Sequence, residues 1–333
     1  MSTTTFKALL VTESEPKVFT RAIVQRNLSD LPDNEVLIRV KYAGLNYKDA
    51  LSAAGNKGVT RKYPHTPGID ASGFVEASSS DKFKVGDKVL VTSYDLGMNT
   101  SGAFADYIRV PAAWVIQLPD AFSLKEAMVI GTAGFTAALS LYKMEQMGQT
   151  PQMGKIVVTG ATGGVGSHAV AILAKAGYEV IAATGKVEVA SDYLKTLGAS
   201  EVVHRSEVND DSRRPLLRPK WAGAIDTVGG TILATLLKAC ARRGSVAACG
   251  LVQSPKLQTT VFPFILNAVN LLGIDSAETP MALRLKVWEK LANEWKPDNL
   301  ELMCNDATLE DLNEHIIDAM LAGKHTGRTV VVL

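Results

Sequence analysis

Glycines cluster between an apolar strand and an apolar helix in the stretch KIVVTGATGGVGSHAVAILAKAG. In a dinucleotide site, three such positions serve a tight turn, the close approach of the backbone to a pyrophosphate, and the packing of the helix on the strand. Here these positions are Ala161, Gly163 and Gly166, with Gly160 and Gly164 as further glycines. A helix that begins here also directs N–H groups and its positive dipole end at phosphates. The stretch therefore predicts a nucleotide site.

The following strand, within EVIAATGKVEVA (179–190), bears on the choice of nucleotide because it ends in Thr184, Gly185 and Lys186. An NAD site places an acidic residue about 20 residues beyond the glycines, where it accepts from the ribose 2′-hydroxyl, whereas an NADP site uses cationic or hydroxyl groups. No carboxylate stands here, and Arg205 follows the next strand, where its planar fork could close on a 2′-phosphate. We therefore expect NADPH; the alternative is that Lys186 is an ordinary solvated lysine.

The elements that must position these residues divide into two kinds. The first 120 or so residues contain short strands, such as NEVLIRVKYAGL with its period-2 alternation, and predict a small barrel or sandwich. After Pro119 a helical segment, SLKEAMVIGTAGFTAALSLYKMEQMG, precedes a regular alternation of strands and helices. Such alternation predicts βαβ units and a parallel sheet, so the expected fold class is α/β with a Rossmann doubly wound parallel sheet.

Composition limits the possible partners of this 333-residue chain, of which 47% is apolar and 21% charged. The 35 Lys and Arg nearly balance the 34 Asp and Glu, so no net field favours nucleic acid or an anionic membrane. The start lacks a secretory signal pattern, and no apolar run reaches the ~18 residues of a spanning helix. Three widely spaced cysteines, Cys240, Cys249 and Cys304, indicate a reducing compartment. We expect a cytoplasmic protein whose partners include neither nucleic acid nor membrane.

Motifs along nearly the whole chain resemble the zinc-independent quinone oxidoreductase branch of the medium-chain dehydrogenase/reductase superfamily. They are, in order, AGLNYKDAL (43–51), PGIDASGFV (67–75), IGTAGFTAAL (130–139), TGATGGVGS (159–167), GAIDTVG (223–229), ACGL (248–251), TTVFPFIL (259–266) and GRTVV (327–331). NYKDAL, GTAGFTA and GAIDTVG together are most similar to the NADPH-dependent acryloyl-CoA reductases of that branch.

The resemblance implies a GroES-like β-barrel domain, a Rossmann domain and an active site in the cleft between them. The implied segments are a GroES-like catalytic domain at 1–122, a Rossmann dinucleotide-binding domain at 123–270, and a C-terminal segment at 271–333 that returns to the catalytic domain. The closing strand RTVVVL has no partner in the alternating run, which agrees with that return.

No metal site is expected. Zinc members of the superfamily carry a cysteine near Asn46 and Gly-His-Glu where this chain has Gly68-Ile69-Asp70. Residues 1–239 contain no cysteine, so thiolate zinc sites cannot be built from them. His65 stands alone, and an isolated histidine is more often packed or solvated than a ligand.

Without a metal, a hydride must go to a carbon that is already electrophilic, as in an enone, a quinone or an enoyl thioester. The protein then positions the partners and stabilises the enolate oxygen. Tyr47 is the candidate catalytic residue because its phenol can donate to substrate or nicotinamide; the alternative is that it only packs a loop. Asn46 is the candidate oxyanion donor, and Asp49 is expected to cap the helical turn that follows.

The resemblance also implies the residues that hold the cofactor. Thr-Gly-Lys stands where the family often has Ser-Gly-Arg, which keeps the charge but loses the guanidinium fork. Asp226 ends a strand near the expected crevice, although such a residue as often caps a turn. The implied cofactor-binding residues are Tyr47, Thr162, Gly163, Gly164, Val165, Gly166, Thr184, Gly185, Lys186, Arg205, Leu251, Ile265, Ser276 and Arg328.

A basic run, RRPLLRPK at 213–220, is the one notable charge cluster. Its arginines could hold the phosphates of CoA, and the alternative is a solvated loop.

The expected function is NADPH-dependent reduction of a short enoyl-CoA, acryloyl-CoA to propionyl-CoA. The alternatives are reduction of quinones or other enones, and NADPH binding without catalysis. The apolar segment TTVFPFILNAVNLLGID would expose a sheet edge, so we expect a homodimer.

Overall fold

The protein is described by a computed structural model that covers residues 4–333. Its contacts divide these residues into two compact units. The first unit comprises residues up to Thr132, Ala277–Lys286 and Leu300–Leu333, and the second comprises Ala133–Ser276 and Val287–Asn299. This division differs from the predicted segments, which changed after residues 122 and 270 and assigned the whole tail to the first domain.

Short strands dominate the first 120 residues, and strands and helices largely alternate from residue 156 to residue 273, as the pattern predicts. The strands are β1 Thr5–Glu15, β2 Val18–Asn27, β3 Val36–Gly44, β4 Asp70–Ser78, β5 Lys88–Thr92, β6 Tyr107–Val110, β7 Ile116–Gln117, β8 Ile156–Thr159, β9 Val180–Thr184, β10 Glu201–His204, β11 Trp221–Asp226, β12 Cys240–Ala248, β13 Asn270–Gly273, β14 Cys304–Ala307 and β15 Arg328–Val332. The helices are α1 Tyr47–Ala53, α2 Leu124–Gln146, α3 Gly164–Lys175, α4 Val187–Thr196, α5 Gly230–Lys238, α6 Phe262–Asn267, α7 Met281–Ala292, α8 Leu309–Asp311 and α9 Ile317–Leu321.

The first unit is built on a seven-stranded sheet with the order β14-β15-β3-β4-β5-β7, and β6 also pairs with β3. Strand β15 runs antiparallel to β3, with Val330 opposite Gly44. This pairing confirms that the closing strand returns to the first part of the chain. Strand β3 departs from simple alternation because Leu37 is buried in a second small cluster with Phe6 and Leu31, while Ile38 faces the main core.

The second unit contains six strands in the order β10-β9-β8-β11-β12-β13, and every neighbouring pair is parallel. The predicted doubly wound parallel sheet is therefore confirmed. Its central strands are buried on both faces, as the apolar runs IVVT and WAGAID require. In such a sheet the carboxyl ends of all strands lie at one edge, and ligands bind in the crevice outside that edge.

Helix α2 is long and apolar enough to cross a membrane by length and composition, but 83% of its most apolar window is buried inside the protein. Gly131 interrupts it with φ +48° and ψ −155°, so it consists of two helical pieces joined by a kink. Burial on nearly all sides is typical of a core helix.

Candidate active site

The nucleotide loop begins where β8 ends, and two of its glycines have different structural roles. Gly160 has φ +58°, and a Cβ atom there would lie 2.3 Å from the hydroxyl oxygen of Thr227. A Cβ atom on Gly166 would lie 2.2 Å from the carbonyl oxygen of Gly160. Gly160 is thus the glycine of the tight turn, which explains why the next position tolerates Ala161. Gly166 allows the helix to pack closely on the loop.

Helix α3 starts at Gly164 with Gly163 as its N-cap. The first N–H groups of a helix have no acceptor within the helix, and its dipole favours an anion at this end. Gly163, Gly164 and Val165 are partly exposed, whereas Thr162 and Gly166 are buried. These residues fit the pyrophosphate of a dinucleotide; their contact with a cofactor stays a prediction.

The structure brings the four residues predicted for the 2′-phosphate together at the carboxyl ends of β9 and β10. The guanidinium of Arg205 lies over Gly185, where a Cβ atom would be 3.3 Å from Nε of the arginine. Both residues are exposed. The Thr184 hydroxyl is buried and accepts from the Lys186 backbone N–H at 3.1 Å. The cluster offers cationic and hydroxyl groups and no carboxylate at positions 184–186, which suits a 2′-phosphate.

The residues predicted for the nicotinamide half lie beyond β12 and β13. Leu251 is 64% exposed and Ile265 is 68% exposed. The Ser276 hydroxyl accepts from the hydroxyl of Thr136 at 2.8 Å. Their role in cofactor binding stays a prediction.

A buried polar cluster of the first unit gathers the predicted residues Asn46, Asp49 and Arg328, together with Asp70 and Thr132. Asp70 and Arg328 are 0% and 2% exposed, and Nη2 of the arginine lies 3.2 Å from Oδ2 of the aspartate. The same Oδ2 accepts from the Asn46 amide at 2.8 Å and from the Thr132 backbone N–H at 2.8 Å. The Thr132 hydroxyl donates to Oδ1. Asp70 is therefore the centre of the cluster.

The polar groups of the Arg328 and Asn46 side chains are all hydrogen-bonded within the protein. Every N–H of the guanidinium donates within the first unit, the acceptors being Val129 O, Leu45 O, Asn46 Oδ1, Asp70 Oδ2 and Met128 O. The Asn46 amide nitrogen donates to Asp70 and to the Gly44 carbonyl at 3.1 Å. A cofactor contact from Arg328, or an oxyanion contact from Asn46, would require one of these hydrogen bonds to be given up. Both roles stay predictions, and the observed role of each is to hold neighbouring backbone.

Asp49 caps α1, as expected. Its Oδ2 accepts from the Asn46 backbone N–H at 2.7 Å, and its Oδ1 accepts from the Ile69 backbone N–H at 2.9 Å. Burial, helped by the charge of Asp70, raises its pKa to about 7, against the effect of the two backbone hydrogen bonds and Arg328. One carboxyl thus ties the start of α1 to the segment before β4.

Tyr47 is the first residue of α1 and is 49% exposed. None of the described residues forms a hydrogen bond with its phenol, which leaves the hydroxyl available to a ligand. Its backbone is fixed by the Asp49 cap on the preceding residue.

His65 is buried, and burial lowers its pKa. Within residues 4–333, no group of three or more His, Cys, Asp or Glu side chains has a geometry that could hold a metal ion.

The basic run at 213–220 lies at the wrong edge of the sheet for a role beside the nucleotide loop. It leads directly into the amino end of β11, and its backbone bonds to the residues just before β12: the N–H of Leu217 donates to Lys238 O and that of Lys220 to Ala239 O. Strand β11 has six residues, about 20 Å at 3.3 Å per residue, between this loop and the crevice edge. This placement favours the alternative of a solvated loop.

Two protein families match the sequence, the alcohol dehydrogenase GroES-like domain at residues 32–120 and the zinc-binding dehydrogenase domain at residues 164–293. With the mainly antiparallel sheet of the first unit and the Rossmann-type sheet of the second unit, they define a medium-chain dehydrogenase/reductase. More narrowly, the chain belongs to the quinone oxidoreductase branch of that superfamily, among proteins most like the acrylyl-CoA reductases.

Three relatives support this assignment. Acrylyl-CoA reductase AcuI of Ruegeria pomeroyi is 47% identical over 98% of this chain and 98% of its own length. YhfP of Bacillus subtilis, which carries a quinone oxidoreductase name, is 48% identical over 91% of this chain and 92% of its own; its structure with NAD bound has a TM-score of 0.96 over 99% of this chain and 100% of that one. The yhdH oxidoreductase of Salmonella enterica, in complex with NADP, has a TM-score of 0.94 and 42% identity over 98% of this chain and 99% of that one.

Proposed function

We propose that this protein uses NADPH to reduce the carbon–carbon double bond of a short enoyl-CoA, acryloyl-CoA to propionyl-CoA. The observation that carries the proposal is the match to an acrylyl-CoA reductase over 98% of both chains. The nucleotide loop and the 2′-phosphate cluster of the second unit fit the cofactor that such a reaction needs.

Each part of the second unit has a separate task in binding. The N-terminus of α3 binds the pyrophosphate through backbone N–H groups, with Gly166 holding the helix against the loop. Arg205 and Lys186 neutralise the 2′-phosphate, while the Thr184 hydroxyl keeps the turn in shape through its bond to the Lys186 N–H. A dinucleotide with a 2′-phosphate is therefore favoured over one with a free hydroxyl.

When bound, NADPH supplies the hydride. A hydride added to the β-carbon of an enoyl thioester makes an enolate, and the enolate takes a proton at the α-carbon. The chain orients the thioester and supplies donors to the enolate oxygen. Tyr47 donates its phenol hydrogen to substrate or cofactor, and the Asp49 cap fixes the backbone from which this side chain projects.

The second candidate reaction is reduction of a quinone or another enone. The name and 48% identity of the Bacillus subtilis relative favour it. Both substrates accept a hydride at an electrophilic carbon, so the difference between them lies in what holds the rest of the molecule.

NADPH oxidation followed at 340 nm, with acryloyl-CoA, crotonyl-CoA and a simple quinone side by side, tests the proposal. We expect the highest kcat/KM with acryloyl-CoA. Faster turnover of the quinone would favour the second reaction, and cofactor binding without turnover of any electrophile would favour a non-catalytic NADPH-binding protein.

The protein is also proposed to act as a cytoplasmic homodimer. Strand β13 has one neighbour in its sheet, β12, and the segment before it carries exposed apolar side chains. These are Val261, Phe262, Ile265, Leu266 and, on the strand, Leu271, which are between 38% and 68% exposed. Light scattering after size-exclusion chromatography should give the mass of a dimer, and Leu271→Lys should reduce it to that of a monomer.

A further inference from the structure

We infer that Asp226 is a positioning residue for the dinucleotide, because its carboxylate joins the end of β8 to the turn after β11 at the crevice edge, and its backbone carbonyl binds the segment after β12. The inference deepens the proposed function and rests on it.

The position of Asp226 is central. It is the last residue of β11, which lies between β8 and β12 in the sheet, and it is 0% exposed. The Rossmann crevice lies outside this edge. Burial raises the pKa of its carboxyl, against the effect of hydrogen bonds from Thr159 and from the backbone.

One carboxylate oxygen of Asp226 is hydrogen-bonded to the last residue of β8, just before the nucleotide loop. Oδ1 accepts from the Thr159 hydroxyl at 2.7 Å, and that hydroxyl accepts in turn from the Thr227 backbone N–H at 3.1 Å. The Thr227 hydroxyl donates to the Thr159 carbonyl at 2.9 Å. This clamp holds Thr227 against Gly160, the glycine of the tight turn.

The other oxygen and the backbone control the remaining two loops. Oδ2 accepts from the Gly229 N–H at 2.7 Å, at a residue with φ +72° that opens α5. The Asp226 carbonyl accepts from the Cys249 N–H at 2.9 Å, and Gln253 N–H donates to Val228 O at 2.8 Å. Asp226 thereby fixes the turn at 227–230 and, with it, the segment at 249–254 that contains Leu251.

The isosteric change Asp226→Asn tests this role. The new amide can still accept from Gly229, but its N–H₂ group faces Thr159, so the hydroxyl hydrogen of Thr159 loses its acceptor. We expect the Kd for NADPH, measured by the change in its fluorescence on binding, to rise about tenfold because a hydrogen bond to a charged group is lost. Hydrogen exchange at Thr227, whose N–H donates to the Thr159 hydroxyl, should accelerate in the cofactor-free protein.

Two further variants separate positioning from stability. Thr159→Val removes the same hydrogen bond, together with the one that this hydroxyl accepts from the Thr227 N–H, without placing an amide in the sheet. Its Kd for NADPH should rise as well. Ser245→Ala removes a buried hydroxyl from the middle of β12, where it accepts from Asn270, and should lower Tm without changing Kd.

The outcomes distinguish this role from the proposed function. Wild-type affinity for NADPH in both Asp226→Asn and Thr159→Val would overturn the positioning role alone. A wild-type protein that binds neither NADPH nor NADH would overturn the proposed function and this role with it.

Discussion

Two polar regions of the molecule differ in whether their hydrogen-bonding groups are paired within the protein or exposed to solvent. Around Asp70 and Arg328 in the first unit, donors and acceptors meet each other inside the protein. In the second unit, the residues at the start of α3 are partly exposed and Arg205 is exposed. The two arginines are both predicted to contact the cofactor, Arg205 at its 2′-phosphate. All N–H groups of Arg328 donate within the first unit, whereas the exposed guanidinium of Arg205 is available to a ligand, so chemical type alone does not identify a binding residue.

The largest expected effect comes from breaking the buried region. Arg328→Met should lower the free energy of unfolding by about 3–5 kcal/mol, because Asp70 is left charged and buried without its partner. Urea denaturation measures the loss.

An exposed pair serves as the control. Arg39 lies 3.4 Å from Glu76, and the two side chains are 46% and 44% exposed. Arg39→Met should cost less than about 1 kcal/mol. Equal losses for the two variants would contradict the distinction between the regions.

In the second region, Arg205→Ala should act on cofactor choice with little effect on stability. The KM for NADPH should rise about 10- to 100-fold, since hydrogen bonds to a charged group are lost, while the KM for NADH changes little. Arg218→Ala, in the basic loop at the amino edge of the sheet, is the matched control and should leave both constants unchanged. A parallel rise for both cofactors would argue against a 2′-phosphate contact.

The pKa of Asp49 predicts a dependence of stability on pH. Because the folded-state value of about 7 lies above the ~3.9 of an unfolded aspartate, the folded protein binds this proton more tightly. The group therefore stabilises the fold at acidic pH, and this contribution is lost as the pH rises to about 7. Relative to Asp49→Asn, wild type should lose up to about 1.4 kcal/mol per pH unit between pH 5 and pH 7.

Denaturation of both proteins across this range measures the difference. Asp81→Asn, at an exposed carboxyl, should run parallel to wild type. Parallel curves for Asp49→Asn would mean that this carboxyl is already ionised at pH 5.

The smallest effect is expected at Tyr47. Tyr47→Phe should lower kcat/KM for the enoyl substrate about 3- to 10-fold, the value of one neutral hydrogen bond. Tyr107→Phe, whose ring packs on Phe6, is the control and should leave kcat/KM unchanged. Unchanged kinetics for Tyr47→Phe would exclude a role for the hydroxyl.

Much of the fold is predictable because the spacing of apolar residues within short segments of the sequence indicates strands and helices. The alternation of apolar strands and helices predicts the parallel sheet. The closing strand RTVVVL has no partner in that alternating run, which predicts that the chain returns to the first domain. Helix α3 begins at Gly164, within the glycine cluster, a start that the pattern does not indicate because glycines are typical of loops. The apolar segment TTVFPFILNAVNLLGID contains the edge strand β13, as expected, but also helix α6, which the apolar pattern does not separate from the strand.

The site was predictable only where its residues are close in sequence or matched a motif. The turn at Thr184 to Lys186 follows one strand, so its spacing from the glycines is informative. Arg328 and Asp70 are 258 residues apart, and no spacing rule joins them. Asp226 and Thr159 meet across 67 residues because two strands pair, a fact that only the register of the sheet supplies.

Reduction of acryloyl-CoA with NADPH deuterated at both hydrogens of its nicotinamide C4, in ordinary water, tests the central claim directly. The account predicts propionyl-CoA with one deuterium at the β-carbon and a solvent proton at the α-carbon, seen by mass spectrometry and NMR. Consumption of NADPH without labelled propionyl-CoA would contradict it.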